Sequence, residues 1–308
     1  MVQQRGDLYQ AEEFFMEALK INDSLGLKGN TTKLLNNLNK LRKKIDNTII
    51  RKNIEEMHIS FPPTFPCAWA AEWGQDQYGL WQAFNYQDVF HAFRWIQPGN
   101  FLMGSPNNED GRYDREDQHH VTLSRGFWLA ETPVTKKLWD VVMQDDSPSS
   151  IKGGQLPVAT VSWNNCQNFI QKINLFHSDF RFSLPWEAIW EYACRAGTTT
   201  AFSFGNKEDL NLERVNYSGQ WSDFESNAKT KPVKTYPPND WGLYEMHGNV
   251  FEWCQDIWQE NLGTDAVIDP YQEVQNDQNV RRVIRGGARG SKGEICRAAF
   301  RSVHVQDN

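Results

Sequence analysis

Residues 282–301 read RVIRGGARGSKGEICRAAFR, with six basic side chains, four glycines and a single cysteine, Cys296. A thiol amid cations could be a redox nucleophile, since neighbouring positive charge favours the thiolate. It could equally be a small apolar residue in a binding loop. Five cysteines are present in all, Cys67, Cys166, Cys194, Cys254 and Cys296, scattered and odd in number. No CxxC or Cys/His spacing suggests zinc, so mostly buried free thiols in a reducing compartment are expected. Of seven histidines only His119 and His120 are adjacent, and in a strand adjacent residues face opposite ways. They cannot readily share a metal. No GxSxG, HExxH or P-loop occurs. The acids Glu109, Asp110, Asp114, Glu116 and Asp117 read as a solvated charged loop.

The elements that must position these residues come in two parts. The chain has 308 residues, enough for one large domain and an appendage. Residues 1–57 hold no Trp and no Pro. In 6–26, Ala11, Phe14, Phe15, Ala18 and Leu19 form one helical stripe. A second helix is expected after Asn30, with Leu34, Leu38, Leu41, Ile45 and Thr48 spaced as a coiled-coil seam, so 30–57 is a candidate for self-association. The first helix resembles a tetratricopeptide repeat, with Gly6-Asp7, Ala11-Glu12, Ala18-Leu19 and Ile21 in that repeat's pattern. Residues 58–66, with three prolines, read as a linker.

From residue 67 the chain is Trp-rich and turn-rich. Residues 82–105 alternate as a hairpin does, and 119–135 predict another strand. Residues 135–143, 162–176 and 185–197 predict three short helices, with Ser162 as a cap for the second and Gly197 as the stop of the third. Little regular structure is expected after 198. A net charge of −7 gives no general reason to expect nucleic acid. No apolar run approaches the ~18 residues of a membrane span. The N-terminus lacks the basic-then-apolar layout of a signal peptide, so a cytoplasmic protein is expected.

Four segments, FRWIQPGNFLMGSPNNEDGRYDREDQHHVTLSRGFWLAETPVTKKLW, LPWEAIWEYACRAGT, YPPNDWGLYEMHGNVFEWCQD and RRVIRGGARGSKGEICRAAFR, together resemble the formylglycine-generating enzyme, or sulfatase-modifying factor, family over roughly 66–308. The resemblance implies an α+β, C-type-lectin-like domain with little regular structure and bound calcium. Enzymes of the family oxidise a substrate cysteine with Cu(I) and two cysteines five apart. Carried over, the second falls on Cys296 and the first on Ser291. A serine hydroxyl is a hard ligand and cannot replace a thiolate for Cu(I), so neither copper nor catalysis is expected. The family's iron-dependent members need an HxxxHxE pattern that this sequence lacks.

The resemblance also implies metal ligands: Glu245 and Glu252 by side chain with Gly248 and Val250 by backbone carbonyl, and a second site starting at Asn216 and the Tyr217 carbonyl. Oxygen donors of this kind suit calcium. The family usually has Asn or Asp where Glu245 stands. Non-catalytic relatives include the variable proteins of diversity-generating retroelements, which bind ligands through C-terminal loops. Arg285, Arg297 and Arg301 match positions that look structural, with Glu187, Glu191, Glu252 and Asp256 as candidate partners. That leaves Ala288, Arg289, Ser291, Lys292, Glu294, Ser302, His304 and Gln306 as candidate ligand contacts, for an unknown protein or small ligand. Family domains continue into one more strand, which this sequence is expected to lack. The reading is a binding module acting through 286–308. Two others stand beside it: a copper oxidase using Cys296 and an unseen partner thiol, and an adaptor acting through the N-terminal helices.

Overall fold

The computed structural model describes residues 61–144, 153–176, 180–221, 229–271 and 280–307. The expected helices and self-association seam within 1–57 lie outside these residues. So does the start of the linker. The chain divides between Ser60 and Phe61, and the second unit is described here.

Alternating, β-branched and aromatic sequence builds the first sheet. Strands β1 (Glu72–Asp76), β2 (Gly79–Tyr86), β3 (Val89–Ile96) and β6 (Phe127–Ala130) lie antiparallel in that order. Gln87 and Asp88, both with positive φ (48° and 62°), make the tight turn between β2 and β3. That turn's twist matches the twist of the strands it joins. One face of this sheet packs Phe84, Val89 and Phe93 against two helices, α1 (Lys136–Met143) and α2 (Trp163–Asn174), whose Trp139 and Phe169 rings stack at 4.8 Å. Phe65, at the end of the proline-rich stretch, sits on this unit too, 5.9 Å from the Trp128 ring.

Two smaller sheets carry the rest. Strands β4 (Gly99–Met103), β5 (His119–Leu123) and β8 (Val267–Ile268) form one, with β8 parallel to β5. Strands β7 (Glu252–Ile257), β9 (Arg281–Arg285) and β10 (Ser302–Val305) form the other, in the order β10-β9-β7. The single strand expected in 119–135 is thus two strands in different sheets, because Ser124-Arg125-Gly126 breaks the run and redirects the chain. His119 is buried and His120 exposed, as strand alternation demands.

The three short helices expected from sequence are present among the described residues. Ser162 caps α2 through its hydroxyl, which accepts from the Asn165 amide, while the Asn165 side chain accepts from the Ser162 amide. Helix α3 (Glu187–Arg195) ends on left-handed Ala196 followed by Gly197, and eight of its nine residues are buried. It lies at the centre of a core shared with β5, β7 and β9, containing Val121, Trp190, Ala193, Cys254 and Val283. A third cluster joins Ala201, Phe202, Val215 and Tyr217 to Cys296.

Candidate functional site

Strand β9 delivers the C-terminal segment, and buried ion pairs fix it. The Arg285 guanidinium is fully buried and donates to Glu187 at 2.7 Å, to Glu191 at 2.5 Å and to the Ala298 carbonyl at 2.6 Å. Arg301 pairs with both oxygens of Glu187, at 2.7 and 3.0 Å. Burial alone would raise the Glu187 pKa, but Arg301 and Arg285 outweigh it and hold the carboxyl below the usual range. Glu187 and Glu191 thus take the partner role expected of them. Of the others, Asp256 accepts from the Glu187 amide at 2.7 Å and Glu252 accepts from Trp190 Nε1 at 3.0 Å. Arg297 finds different partners. It donates to both oxygens of Glu116 and to Glu109 at 2.5 Å. The loop expected to be solvated is therefore partly buried: Glu116 is 1% exposed, because a guanidinium arriving from far along the chain neutralises it.

After β9, Gly286 and Gly287 turn the chain with φ of 89° and 77°. A Cβ on Gly287 would lie 2.7 Å from Cys296 Sγ, so the turn and the thiol are packed together. Ser291 is buried, and its hydroxyl accepts from the Ala288 amide at 2.9 Å while its amide donates to the Ala288 carbonyl at 2.8 Å. The hydroxyl at the first of the enzymes' two cysteine positions is thus engaged in holding the loop's shape. Cys296 is fully buried, and burial pushes its thiol up to about 12. Cys254 belongs to a different core cluster.

His247, which sequence reasoning passed over, braces this turn. The Ser203 amide donates to Nε2 at 3.1 Å, so Nδ1 carries the proton and donates to the Cys296 carbonyl at 2.8 Å. Burial pulls the ring's pKa down to about 4. Cys194 lies 3.6 Å from Nε2. The only available signal was its place in the MHGN run.

The candidate ligand contacts form two groups with different neighbours. Ala288, Arg289, Ser291, Lys292 and Glu294 lie on the loop after β9. There Arg289 N donates to the Asn249 carbonyl, the Ser218 amide donates to the Ser291 carbonyl, and Tyr113 reaches Glu294 at 3.2 Å. Arg289 is exposed, Ala288, Lys292 and Glu294 are half-buried, and Ser291 is inside. Ser302, His304 and Gln306 lie along β10 and just beyond it. His304 is exposed beside the Trp253 ring, and the Gln306 amide donates to the Val280 carbonyl.

The candidate metal ligands Glu245, Gly248, Val250 and Glu252 come from one tightly bent segment. Glu245, Gly248 and Asn249 all have positive φ, at 55°, 77° and 64°. A buried glutamate held there stores strain of roughly 1–3 kcal/mol. Neither carboxylate oxygen of Glu245 has a hydrogen-bond partner, although the side chain is buried. Burial pushes its pKa up to about 7; the backbone amides of Lys234 and Thr235 offset part of this without reaching bonding geometry, the Glu252 charge adds to it, and the Lys234 ammonium opposes it from further off. Glu252 retains some accessible surface, yet its carboxyl is packed closely enough that burial raises it to about 7 as well. Two neighbouring carboxylates enclosed with no cationic side chain bonded to either are what a hard cation would neutralise, so the donor set fits calcium. No cluster of three or more His, Cys, Asp or Glu with metal-binding geometry occurs among the described residues. The remaining oxygens would come from backbone carbonyls such as those of Gly248 and Val250, from neutral side chains or from water.

At the other expected site, Asn216 donates through Nδ2 to the Lys229 carbonyl and to Asn249 Oδ1, at 3.0 and 2.9 Å. Its carbonyl accepts from the Asn249 amide at 2.8 Å. Gly248 lies so close that a Cβ on it would be 2.4 Å from this oxygen. Asn216 and Tyr217 are thereby joined to the bent segment of the first site.

Residues 83–307 match the family described as the sulfatase-modifying factor enzyme 1-like domain, and the chain belongs to this family. It is 29% identical over 240 residues to the serine/threonine-protein kinase Pkn1 of Chlamydia trachomatis, covering 70% of this chain and 36% of that protein. Over 202 residues it is 29% identical to the formylglycine-generating enzyme of Mus musculus, covering 62% of this chain and 50% of the enzyme. The chain thus spans about a third to a half of these relatives. Among solved structures, variable protein 1 of Treponema denticola superposes with a TM-score of 0.62 at 25% identity, covering 73% of this chain and 94% of that one. PvdO of Pseudomonas aeruginosa superposes at 0.60 with 26% identity, covering 73% and 92%. The α+β, formylglycine-generating-enzyme-type domain expected from sequence is the fold observed. Among the described residues no helix is long and apolar enough to cross a membrane.

Proposed function

We propose that this chain is a ligand- or protein-binding module on the formylglycine-generating-enzyme scaffold, acting through residues 286–308. The observation that carries this reading is Ser291, whose hydroxyl, at an enzyme cysteine position, accepts from the Ala288 amide and shapes the loop that displays Arg289. The buried thiol of Cys296, pushed up to about 12, supports it further, because Cu(I) and disulfide chemistry need accessible thiolate. The likeness to variable protein 1 of Treponema denticola favours a binding role of the variable-protein kind.

Calcium is the cation proposed for Glu245, Glu252 and the Gly248 and Val250 carbonyls, with a structural role. A second ion at Asn216 and the Tyr217 carbonyl, and self-association through 30–57, are proposed on the sequence reading alone.

The test uses Cu(I) titration together with a cysteine-containing substrate peptide. Absence of stoichiometric copper binding and of aldehyde formation is expected, and formation of formylglycine overturns the reading. In a glycan and peptide array, a hit that is lost in Arg289→Ala or His304→Ala at unchanged melting temperature supports binding through this surface. A hit insensitive to both variants counts against it.

A further inference from the structure

The residues that would hold the cation are fastened directly to the loop that would hold the ligand. The Gly248 amide donates to the Gly286 carbonyl at 2.7 Å, and the Arg289 amide donates to the Asn249 carbonyl at 3.0 Å. Glu252 stands opposite Arg285 in the antiparallel register of β7 and β9. Trp190 makes a further link: its Nε1 donates to Glu252, its ring carries the Arg285 guanidinium at 5.1 Å, and Gly286 packs against its edge. The same segment also reaches back, since Asn249 Oδ1 accepts from the Lys231 amide at 3.0 Å and from Asn216.

We infer that a divalent cation held by Glu245 and Glu252 sets the position of the 286–291 loop, so that ligand binding by this chain depends on the cation although the cation need not touch the ligand. The inference rests on the cation reading and on the 286–308 surface proposed above. Its physical basis is local. The bent backbone of 245–249 is strained, and one of its side chains is a buried carboxylate with no bonded partner. Oxygen coordination would satisfy that carboxylate and hold the bend. The bend carries the Gly248 N–H and Asn249 carbonyl that tether Gly286 and Arg289. A loop whose tethers open less often presents its side chains in one arrangement, which lowers the ordering penalty of binding.

Residue-resolved hydrogen exchange, run with and without calcium on the full chain, tests this without any knowledge of the ligand. Exchange at the Gly248, Arg289 and Ser291 amides is expected to slow by about tenfold or more on adding calcium, while amides paired between β2 and β3 change little. Glu252→Gln, or Glu245→Gln if the first variant folds poorly, is expected to abolish the response. Calcium binding seen by calorimetry with no change at 286–291 overturns the coupling and leaves the cation site standing. No calcium binding at all overturns the cation reading, and this inference with it.

Discussion

Arg297 and Glu116 meet across 181 residues of chain through two hydrogen bonds, of 2.9 and 2.8 Å, with both side chains sealed from water. Pairs of this kind gain little against well-packed apolar residues, but removing one partner strands the other charge. Arg297→Met, which strands Glu116, is therefore expected to lower stability by about 3–5 kcal/mol in urea unfolding, and Glu116→Gln by less, since Arg297 keeps Glu109. Combining the two is expected to lose clearly less than the sum of the single losses, and full additivity in that double-mutant cycle would contradict direct pairing.

Glu187 ties acid sensitivity to the same segment. Its folded pKa lies below that of the unfolded chain because Arg301 and Arg285 outweigh burial. Between the two values the unfolded state binds more protons, so stability rises with pH. The contribution is fully present above the unfolded carboxyl value of about 4.3 and is lost as pH falls through the lower folded value. Chemical denaturation between pH 5 and pH 2.5 is expected to show this loss. Glu187→Gln should be less stable at pH 6 and less steep in its decline.

Gly287 and Cys296 are coupled by contact. Gly287→Ala forces a Cβ into the left-handed region, costing about 1–2 kcal/mol, and sets it 2.7 Å from Sγ. The double variant with Cys296→Ala is expected to recover the steric part only. In the unaltered protein Cys296 should resist a disulfide reagent at pH 8 until the domain unfolds, and rapid labelling in the folded state would contradict its burial.

Calcium at 100 times its dissociation constant is expected to stabilise the domain by about 2.7 kcal/mol, with EDTA reversing the gain in melting temperature. Glu252→Gln should lose the response. An unchanged melting temperature in both conditions would remove calcium from the account.

What could be read from the sequence was local. Ser162 as a cap and Gly197 as a stop act within a few residues, so residue type and position alone predict them. The loop around Glu116 was misjudged because its charge is cancelled by Arg297, and nothing near Glu116 in sequence announces that. The division of 119–135 between two sheets depends on where β3 and β4 lie, which is again distant information. Glu245 was placed through family resemblance. Its left-handed backbone and the missing partners of its carboxylate became visible only in three dimensions.

The ion pairs of α3 also bear on how the chain is made. Glu187 lies 98 residues before Arg285 and 114 before Arg301. At synthesis rates of 5–20 residues per second, the Glu187 carboxylate waits roughly 5–20 s for its cations. During that interval helix α3 cannot settle in its final core without burying unpaired charge. That cost favours a nascent domain that stays open through the wait and closes late, once residues 281–301 are made.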